Sequence, residues 1–89
     1  MACYIIAYDL FDADSAEYEE LSEAIKSYGT WARIAESTWA VVSDESASEV
    51  RSYLGSFMKN KDRIFVVKSG KAASWKNVRC RDEWLKNNL

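Results

Sequence analysis

A single carboxylate interrupts the most apolar stretch of the chain. Residues 3–10 read Cys-Tyr-Ile-Ile-Ala-Tyr-Asp-Leu, and their aromatic and β-branched side chains predict a buried strand. Asp9 lies near the C-terminal end of that strand, where a charge is costly unless it is paired, metal-bound or at the mouth of the sheet. Asp9 is therefore a candidate functional carboxylate. The alternative is a strand-end residue that caps backbone or pairs with an arginine.

The residue types of the chain exclude several kinds of site chemistry. The chain contains no histidine, which excludes histidine-based general-base catalysis and the usual zinc sites. Its two cysteines, Cys3 and Cys80, do not form a metal-ligand pattern. Because Cys3 falls in a strand typical of a protein core, we expect reduced thiols and a cytoplasmic location. No apolar run approaches the roughly 20 residues of a membrane span, so we expect neither a membrane partner nor a signal peptide.

Charges are unevenly distributed along the chain, although the formal net charge is only −2. Residues 1–30 hold seven acids and one base, whereas residues 59–89 hold nine bases and three acids. Such asymmetry indicates an anion-binding segment or a self-complementary assembly. The overall acidity argues against tight, non-specific binding to nucleic acid, which needs many phosphate contacts.

Tryptophans are interleaved with basic residues, at Trp31, Trp75 and Trp84. Indole rings combined with cations suit a nucleotide, single-stranded RNA or a phosphorylated small molecule. The alternative is that the tryptophans belong to the core and the basic residues form a solvated surface. The candidate nucleic-acid or anion-binding residues are Arg33, Lys68, Lys71, Lys76, Arg79 and Arg81.

The apolar periodicities predict one domain over residues 1–89, with a strand–helix–strand–strand–helix–strand order and a C-terminal tail. Asp14-x-x-Glu17 and Ser46-x-x-Glu49 are capping-box patterns that start the two main helices. The first helix is expected at residues 16–28, and the later strands at 31–36, 38–43 and 63–68. Asp82 is a candidate cap for a last helix at 83–88. The order favours an α+β, ferredoxin-like antiparallel sheet with both main helices on one face.

Details of the helices carry expectations of their own. Gly29 is suited to the position just after the first helix. The apolar stripe of the second helix is expected to reach Phe57 and Met58 and to enclose Gly55, which indicates close packing around the glycine or mere tolerance of it.

The strands are apolar on both faces, so the face without helices needs a cover. The tail, through Trp75, Trp84 and Leu85, can supply part of that cover, and a second copy of the chain is the more complete answer.

Three short motifs carry a resemblance to a known family. They are Tyr8-Asp9 after the first strand, Tyr28-Gly29 after the first helix, and Glu36-Ser37-Thr38-Trp39 between the middle strands. This layout resembles the small CRISPR-associated endoribonuclease-like family, together with the related virulence-associated protein D ribonucleases and SinR-like proteins. The tail is most similar to the SinR-like group, and it reads Glu83-Trp84-Leu85-Lys86-Asn87-Asn88-Leu89.

The resemblance implies a ferredoxin-like homodimer in which the first-strand aspartates of two subunits face each other. It further implies that Asp9 holds Mg²⁺ or Mn²⁺ for phosphodiester hydrolysis and that Ser37 contacts phosphate or backbone. Oxygen ligands and several waters are what such a hard cation prefers. For Ser37 the alternative is a turn hydroxyl that bonds main chain.

Three functions therefore stand as hypotheses. The first is a homodimeric, metal-dependent phosphodiesterase or ribonuclease with Asp9 at the dimer interface. A second is a non-catalytic nucleotide- or RNA-binding module built on the basic residues and tryptophans. The third is a protein–protein adaptor in which the basic tail of one chain meets the acidic helix of another.

Overall fold

The computed structural model of the protein describes residues 1–70 and 72–89. Four strands and three helices follow one another in the predicted order, and the α+β class is confirmed. The elements are β1 (Ala2–Asp9), α1 (Ser15–Lys26), β2 (Trp31–Ala35), β3 (Thr38–Ser43), α2 (Ala47–Gly55), β4 (Arg63–Lys68) and α3 (Asp82–Asn88).

The four strands form one antiparallel sheet in the order β2-β3-β1-β4. The apolar strand β1 lies inside the sheet, where Ala7 is opposite Thr38 of β3 and Phe65 of β4. At the end of β1, Asp9 is opposite Arg63. The pairing of β2 with β3 shifts its register between Arg33 and Ala35. These pairings fix which side chains share a face, because successive residues of a strand point to opposite faces.

The two main helices begin where their capping residues predict. The Asp14 carboxylate accepts the Glu17 backbone N–H at 2.9 Å, and Ser46 and Glu49 form a reciprocal capping box. Such caps satisfy N–H groups that have no partner inside the helix. Both helices end earlier than the apolar stripes suggested, since α1 stops at Lys26 and α2 at Gly55.

Three smaller expectations need correction. Phe57 and Met58 lie beyond α2, and a side chain at Gly55 would meet nothing within 4 Å, so the glycine is tolerated there rather than required by packing. Gly29 lies two residues after the C-cap Ser27, where its φ of +86° explains the choice of glycine. Asp82 opens α3 as its first residue, and its carboxylate accepts the Trp75 indole N–H at 3.1 Å instead of capping the helix.

One face of the sheet packs against α1 and α2 to form the main core. The Trp39 indole N–H in this core donates to the Tyr8 hydroxyl at 3.2 Å, so the buried polar atoms of these two rings satisfy each other. Helix α1 contributes Leu21, Ala24 and Ile25, and α2 contributes Val50 and Leu54. The strands contribute Tyr4, Ile6, Tyr8, Trp39 and Val41.

The C-terminal segment covers part of the second face, as the sequence indicated. Leu85 of α3 is only 1% exposed. It lines an apolar cavity of about 370 Å³ together with Ile5 and Ile34 of the sheet and Trp75 of the tail. The Arg79 backbone N–H donates to the Ile34 carbonyl at 2.9 Å, which ties the segment to β2.

The β4 side of the second face stays open in a single chain. Phe65 is 62% exposed and Val67 is 42% exposed, and Asp9 lies on the same face at its end. The cover formed by the tail is therefore partial.

Within the described residues there is no helix with the length and apolar character that a membrane crossing requires.

Replacing Leu85 with alanine should lower the free energy of unfolding by about 2–5 kcal/mol, because it removes buried methyl groups between α3 and the sheet. Urea denaturation followed by tryptophan fluorescence measures the change. The matched variant Lys86→Ala, at an exposed position of the same helix, should change stability by no more than about 0.5 kcal/mol. Equal stability of the Leu85→Ala variant and the parent would contradict the docking of α3.

Candidate functional site

A groove beside the edge strand β2 brings together three of the predicted basic residues. The segment that contains Arg79 and Arg81 runs along this edge, held by the hydrogen bond from Arg79 to Ile34. The groove has a volume of about 300 Å³. We call it the arginine–tryptophan groove, and its lining residues are Trp31, Ala32, Arg33, Arg79, Cys80, Arg81 and Trp84.

The guanidinium of Arg33 is held in place at the floor of this groove. Its Nε and Nη2 donate to the Glu36 carbonyl at 3.2 and 2.7 Å. The group also lies over the Trp39 ring, 5.1 Å from its centroid, and Trp39 packs against Trp31 at 5.5 Å. An arginine has five N–H donors, so two bonds to one carbonyl leave donors for an anion. Arg33 is therefore a preorganised cation beside an indole.

Arg79 and Arg81 contribute cations from the other wall of the groove. Both side chains are exposed. Arg81 Nε lies 4.0 Å from the Glu83 carboxylate, and with these side chains 85% and 72% exposed the pair contributes little. Trp84 is half-buried in the same wall. Cations and indoles around one groove favour a ligand that carries both negative charge and a flat ring.

Two of the other predicted basic residues, Lys68 and Lys76, lie outside the lining of this groove. Lys68, at the end of β4, lines the apolar cavity under the tail, and Lys76 is exposed on the tail. Lys71 lies outside the described residues. Among the described residues, the predicted cations that line the groove are Arg33, Arg79 and Arg81.

A second depression, of about 350 Å³, brings Asp9 and Ser37 together at one end of the sheet. The turn between β2 and β3 carries Ser37, whose carbonyl accepts the Tyr8 backbone N–H at 3.1 Å. Thr38 and Arg63 also line what we call the Asp9 depression. One carboxylate, two hydroxyls and one guanidinium are the polar groups available there.

Asp9 itself is exposed, at the end of its strand. Asp9 is the last residue of β1 and lies opposite Arg63. Because the side chain reaches water, its charge carries only a small desolvation cost. A strand end that faces an arginine is the alternative that the sequence left open, and the pairing of β1 with β4 favours it.

Asp62 holds the loops around the Asp9 depression. Its two carboxylate oxygens accept the backbone N–H groups of Phe11 and Lys59, each at 2.7 Å. This joins the loop after β1 to the loop before β4, and the Lys59–Glu17 ion pair at 2.8 Å ties the second of these loops to α1. The hydrogen bonds from Lys59 and then Phe11 hold the pKa of Asp62 below its ordinary value. Asp62 therefore positions the ends of both strands that carry Asp9 and Arg63.

Among the described residues, the Asp9 depression offers one carboxylate to a divalent cation. Across residues 1–70 and 72–89, no three acids or thiols cluster closely enough to hold a metal ion. A Mg²⁺ or Mn²⁺ ion prefers several oxygen ligands, so the predicted metal role of Asp9 depends on a second copy of the chain.

Arg63 and Asp62 are the residues of this region that the sequence analysis did not select. Asp62-Arg63 stands just before an apolar strand, and that position alone does not reveal which strand end lies opposite. The β1–β4 register, which pairs Arg63 with Asp9, is the missing information.

In comparisons with known proteins, no family model and no curated protein matched the chain.

Replacing Asp62 with asparagine should destabilise the fold at neutral pH, since an amide nitrogen cannot accept the second backbone N–H. The folded-state pKa of Asp62 lies below the ordinary value of 3.8, so its stabilisation is present above that value and is lost as pH falls through the folded pKa. The stability difference between the parent and Asp62→Asn should therefore shrink on going from about pH 5 to about pH 2.

Thermal unfolding of both proteins across this pH range measures the difference. Asp44→Asn serves as control, because Asp44 is exposed and its carboxylate lies 3.8 Å from the amino terminus in a weak surface pair. This variant should track the parent closely above about pH 4. A difference between Asp62→Asn and the parent that is constant with pH would contradict the assigned role of the carboxylate.

Proposed function

We propose that the protein binds single-stranded RNA through the arginine–tryptophan groove. The supporting observation is the convergence of Arg33, Arg79 and Arg81 with Trp31 and Trp84 around one depression. Phosphates pair with guanidinium groups, and every base has a face that can stack on an indole. The site therefore needs no particular base sequence.

The size and charge of the groove limit the affinity that it can provide. Stacking of one base on an aromatic side chain contributes about 1–3 kcal/mol, and each phosphate contact on a single strand adds about 0.7 to the slope of affinity against salt. With three arginines in the groove, binding should be weak, local and strongly salt-dependent. The acidic α1 helix repels phosphate elsewhere on the molecule, which confines a strand to this edge.

The fold is inferred to be ferredoxin-like. This inference is supported by the order β2-β3-β1-β4 and by the separation of β1 from β2, and of β3 from β4, by one helix each. We also propose that the chain is related to the CRISPR-associated endoribonuclease-like and SinR-like proteins. The free thiols of Cys3 and Cys80 suit a reducing compartment, which supports a cytoplasmic location.

A second candidate function is that of a homodimeric, metal-dependent phosphodiesterase. It is supported by the position of Asp9 on the same open face as Phe65 and Val67. A second copy that covers these two apolar side chains would bury area worth about 25 cal/mol per Å². A two-fold axis near them would bring the Asp9 carboxylates of both copies towards each other.

Paired in this way, two Asp9 carboxylates and water would supply oxygen ligands for Mg²⁺ or Mn²⁺. A bound ion of this kind activates water and offsets the charge that develops on a phosphate. In this arrangement Ser37, Thr38 and Arg63 would line the entrance, where their hydroxyl and guanidinium groups can hold a phosphodiester oxygen.

Arg79→Gln should weaken binding of a fluorescent poly-uridine oligonucleotide and lower the salt slope by about 0.7, because one phosphate contact is lost. Fluorescence anisotropy at several salt concentrations measures both quantities. The control is Arg51→Gln, which removes an exposed arginine from α2 on the helical side of the sheet and should leave both unchanged. Equal losses in the two variants would contradict binding at the groove.

Competition with a mononucleotide distinguishes a strand from a free nucleotide as the ligand. If RNA is the ligand, the oligonucleotide should bind more tightly than the mononucleotide, since it adds phosphate contacts. Equal affinity would assign the groove to nucleotides instead.

Asp9→Asn should abolish Mn²⁺-stimulated RNA cleavage. The oligonucleotide affinity and the sedimentation coefficient should stay those of the parent, because the substitution leaves the groove and the apolar side chains of Phe65 and Val67 unchanged. Asp12→Asn, at an exposed acid of the next loop, is the matched control and should cleave at the parent rate. Phe65→Ser should shift the sedimentation equilibrium towards monomer. A parent protein that stays monomeric at high concentration would exclude the paired-carboxylate site.

A further inference from the structure

A small polar pocket lies on the helical side of the molecule, between the end of α1 and the loop that leads into α2. Its volume is about 310 Å³, and it is lined by Ser27, Tyr28, Ser43, Glu45 and Tyr53. None of these residues belongs to the arginine–tryptophan groove or to the Asp9 depression. We call it the tyrosine pocket.

Two aromatic rings form a fixed corner of the tyrosine pocket. The rings of Tyr28 and Tyr53 meet edge to face, with centroids 5.8 Å apart and planes at 88°. Phe57 supports Tyr53 from behind in a second edge-to-face contact at 5.4 Å. The hydroxyls of Tyr53 and Ser27 lie 3.2 Å apart, within hydrogen-bond distance. Such rings can accept a cation over their faces.

The backbone of Glu45 is anchored, which presents its carboxylate at the pocket. The Glu45 N–H donates to the Ser43 hydroxyl at 3.0 Å, and its carbonyl accepts the Tyr4 hydroxyl at 2.6 Å. The ion pairs formed among residues 1–70 and 72–89 do not engage its side chain. The carboxylate is therefore available to an external cation.

The Tyr28 hydroxyl is a second polar group of the pocket. Its oxygen is shielded from solvent and makes no hydrogen bond of regular geometry, although the Glu45 carboxylate lies close enough to interact with it. Burial and then the charge of Glu45 raise the pKa of Tyr28 above its ordinary value. The phenol is thus neutral at physiological pH, and its ring and hydroxyl form a fixed wall of the pocket next to Glu45.

The surroundings of the pocket favour a positive ligand. Ser27 is the C-cap of α1, so the negative end of the helix dipole points at this place. The nearby cation Lys26 is held by Glu23 at 3.6 Å and lies over Trp31, 5.3 Å from the ring centroid. An anion would meet the Glu45 carboxylate and the α1 carbonyls, whereas a cation meets rings, hydroxyls and one counter-charge.

We propose that the tyrosine pocket binds an alkylammonium cation, a primary amine on an aliphatic chain. Glu45 pairs with the ammonium group, and the ring of Tyr53 covers its methylene groups. The ligand is a free diamine or a lysine side chain, which present the same chemistry. The pocket shares no lining residue with the groove and prefers a ligand of the opposite charge, so its proposed ligand differs from RNA.

The test is an NMR titration of the ¹⁵N-labelled protein with 1,4-diaminobutane. Saturable shifts should appear at the amides of Ser27, Tyr28, Ser43, Glu45 and Tyr53, and 1,4-butanediol, which lacks the charge, should produce none. A titration with N-acetyl-lysine amide compares the two sources of the cation, and the tighter ligand identifies the natural one. Absence of saturable shifts with both amines would overturn the proposal.

Two variants separate the pocket from general surface attraction. Glu45→Gln should raise the dissociation constant for 1,4-diaminobutane about threefold to fivefold, as expected for an exposed ion pair. Asp44→Asn removes the neighbouring acid, which does not line the pocket, and should leave the constant unchanged. Tyr53→Leu should also raise the dissociation constant for 1,4-diaminobutane, because the cation loses an aromatic ring. An unchanged constant would contradict the contact with Tyr53. Equal changes of the dissociation constant in Glu45→Gln and Asp44→Asn would overturn the proposal, because they would indicate non-specific attraction of the cation to surface acids. The amide spectrum reports whether each variant is folded.

Discussion

The structure depends on a sheet whose central strand is apolar on both faces. Tyr4, Ile6 and Tyr8 point to one face of β1, and Cys3 and Ile5 point to the other. Apolar area on each face must leave water, at about 25 cal/mol per Å². A chain of this length has two main helices for one face and only its C-terminal segment for the other. The position of that segment therefore decides both how much core is buried and which surfaces remain.

The two covers differ in charge, and this gives the molecule two chemically distinct sides. Helix α1 is acidic, which suits its first turn, and its far end adjoins the tyrosine pocket. The C-terminal segment is basic, and by docking along β2 it places Arg79 and Arg81 beside Trp31. A site for anions and a site for cations thus arise from the same packing requirement. The groove would not exist if the tail were detached from the sheet, because Arg79, Arg81 and Trp84 belong to the tail.

Much of the architecture could be predicted from local sequence signals. Asp14 and Ser46 cap their helices as the spacing of the following glutamates indicated, since capping involves residues three positions apart. The strand bounds of β3 and β4 were predicted to the residue. The need for a cover on the second face followed from apolar residues on both sides of the strands, and Leu85 provides part of it.

Properties that depend on contacts distant in sequence could not be predicted. The exposure of Asp9 and its position opposite Arg63 follow from the pairing of β1 with β4, which no local pattern encodes. The role of Asp82 as the acceptor for Trp75 depends likewise on how the tail folds back. Among the basic residues, Arg33, Arg79 and Arg81 line one groove beside β2, whereas Lys68 and Lys76 lie elsewhere. The path of the C-terminal segment decides which of these side chains come together. The tyrosine pocket joins residues from three parts of the chain and has no sequence signature.

Native-state hydrogen exchange at the Arg79 amide tests the docking of the C-terminal segment most directly. This N–H donates to the Ile34 carbonyl of β2 at 2.9 Å and holds the segment against the sheet edge. We expect protection of Arg79 in the range found for amides of the β2–β3 pairing, since both are released by opening the same edge. Exchange of the Arg79 amide at the rate of an unstructured peptide, with the β2–β3 amides still protected, would contradict the account.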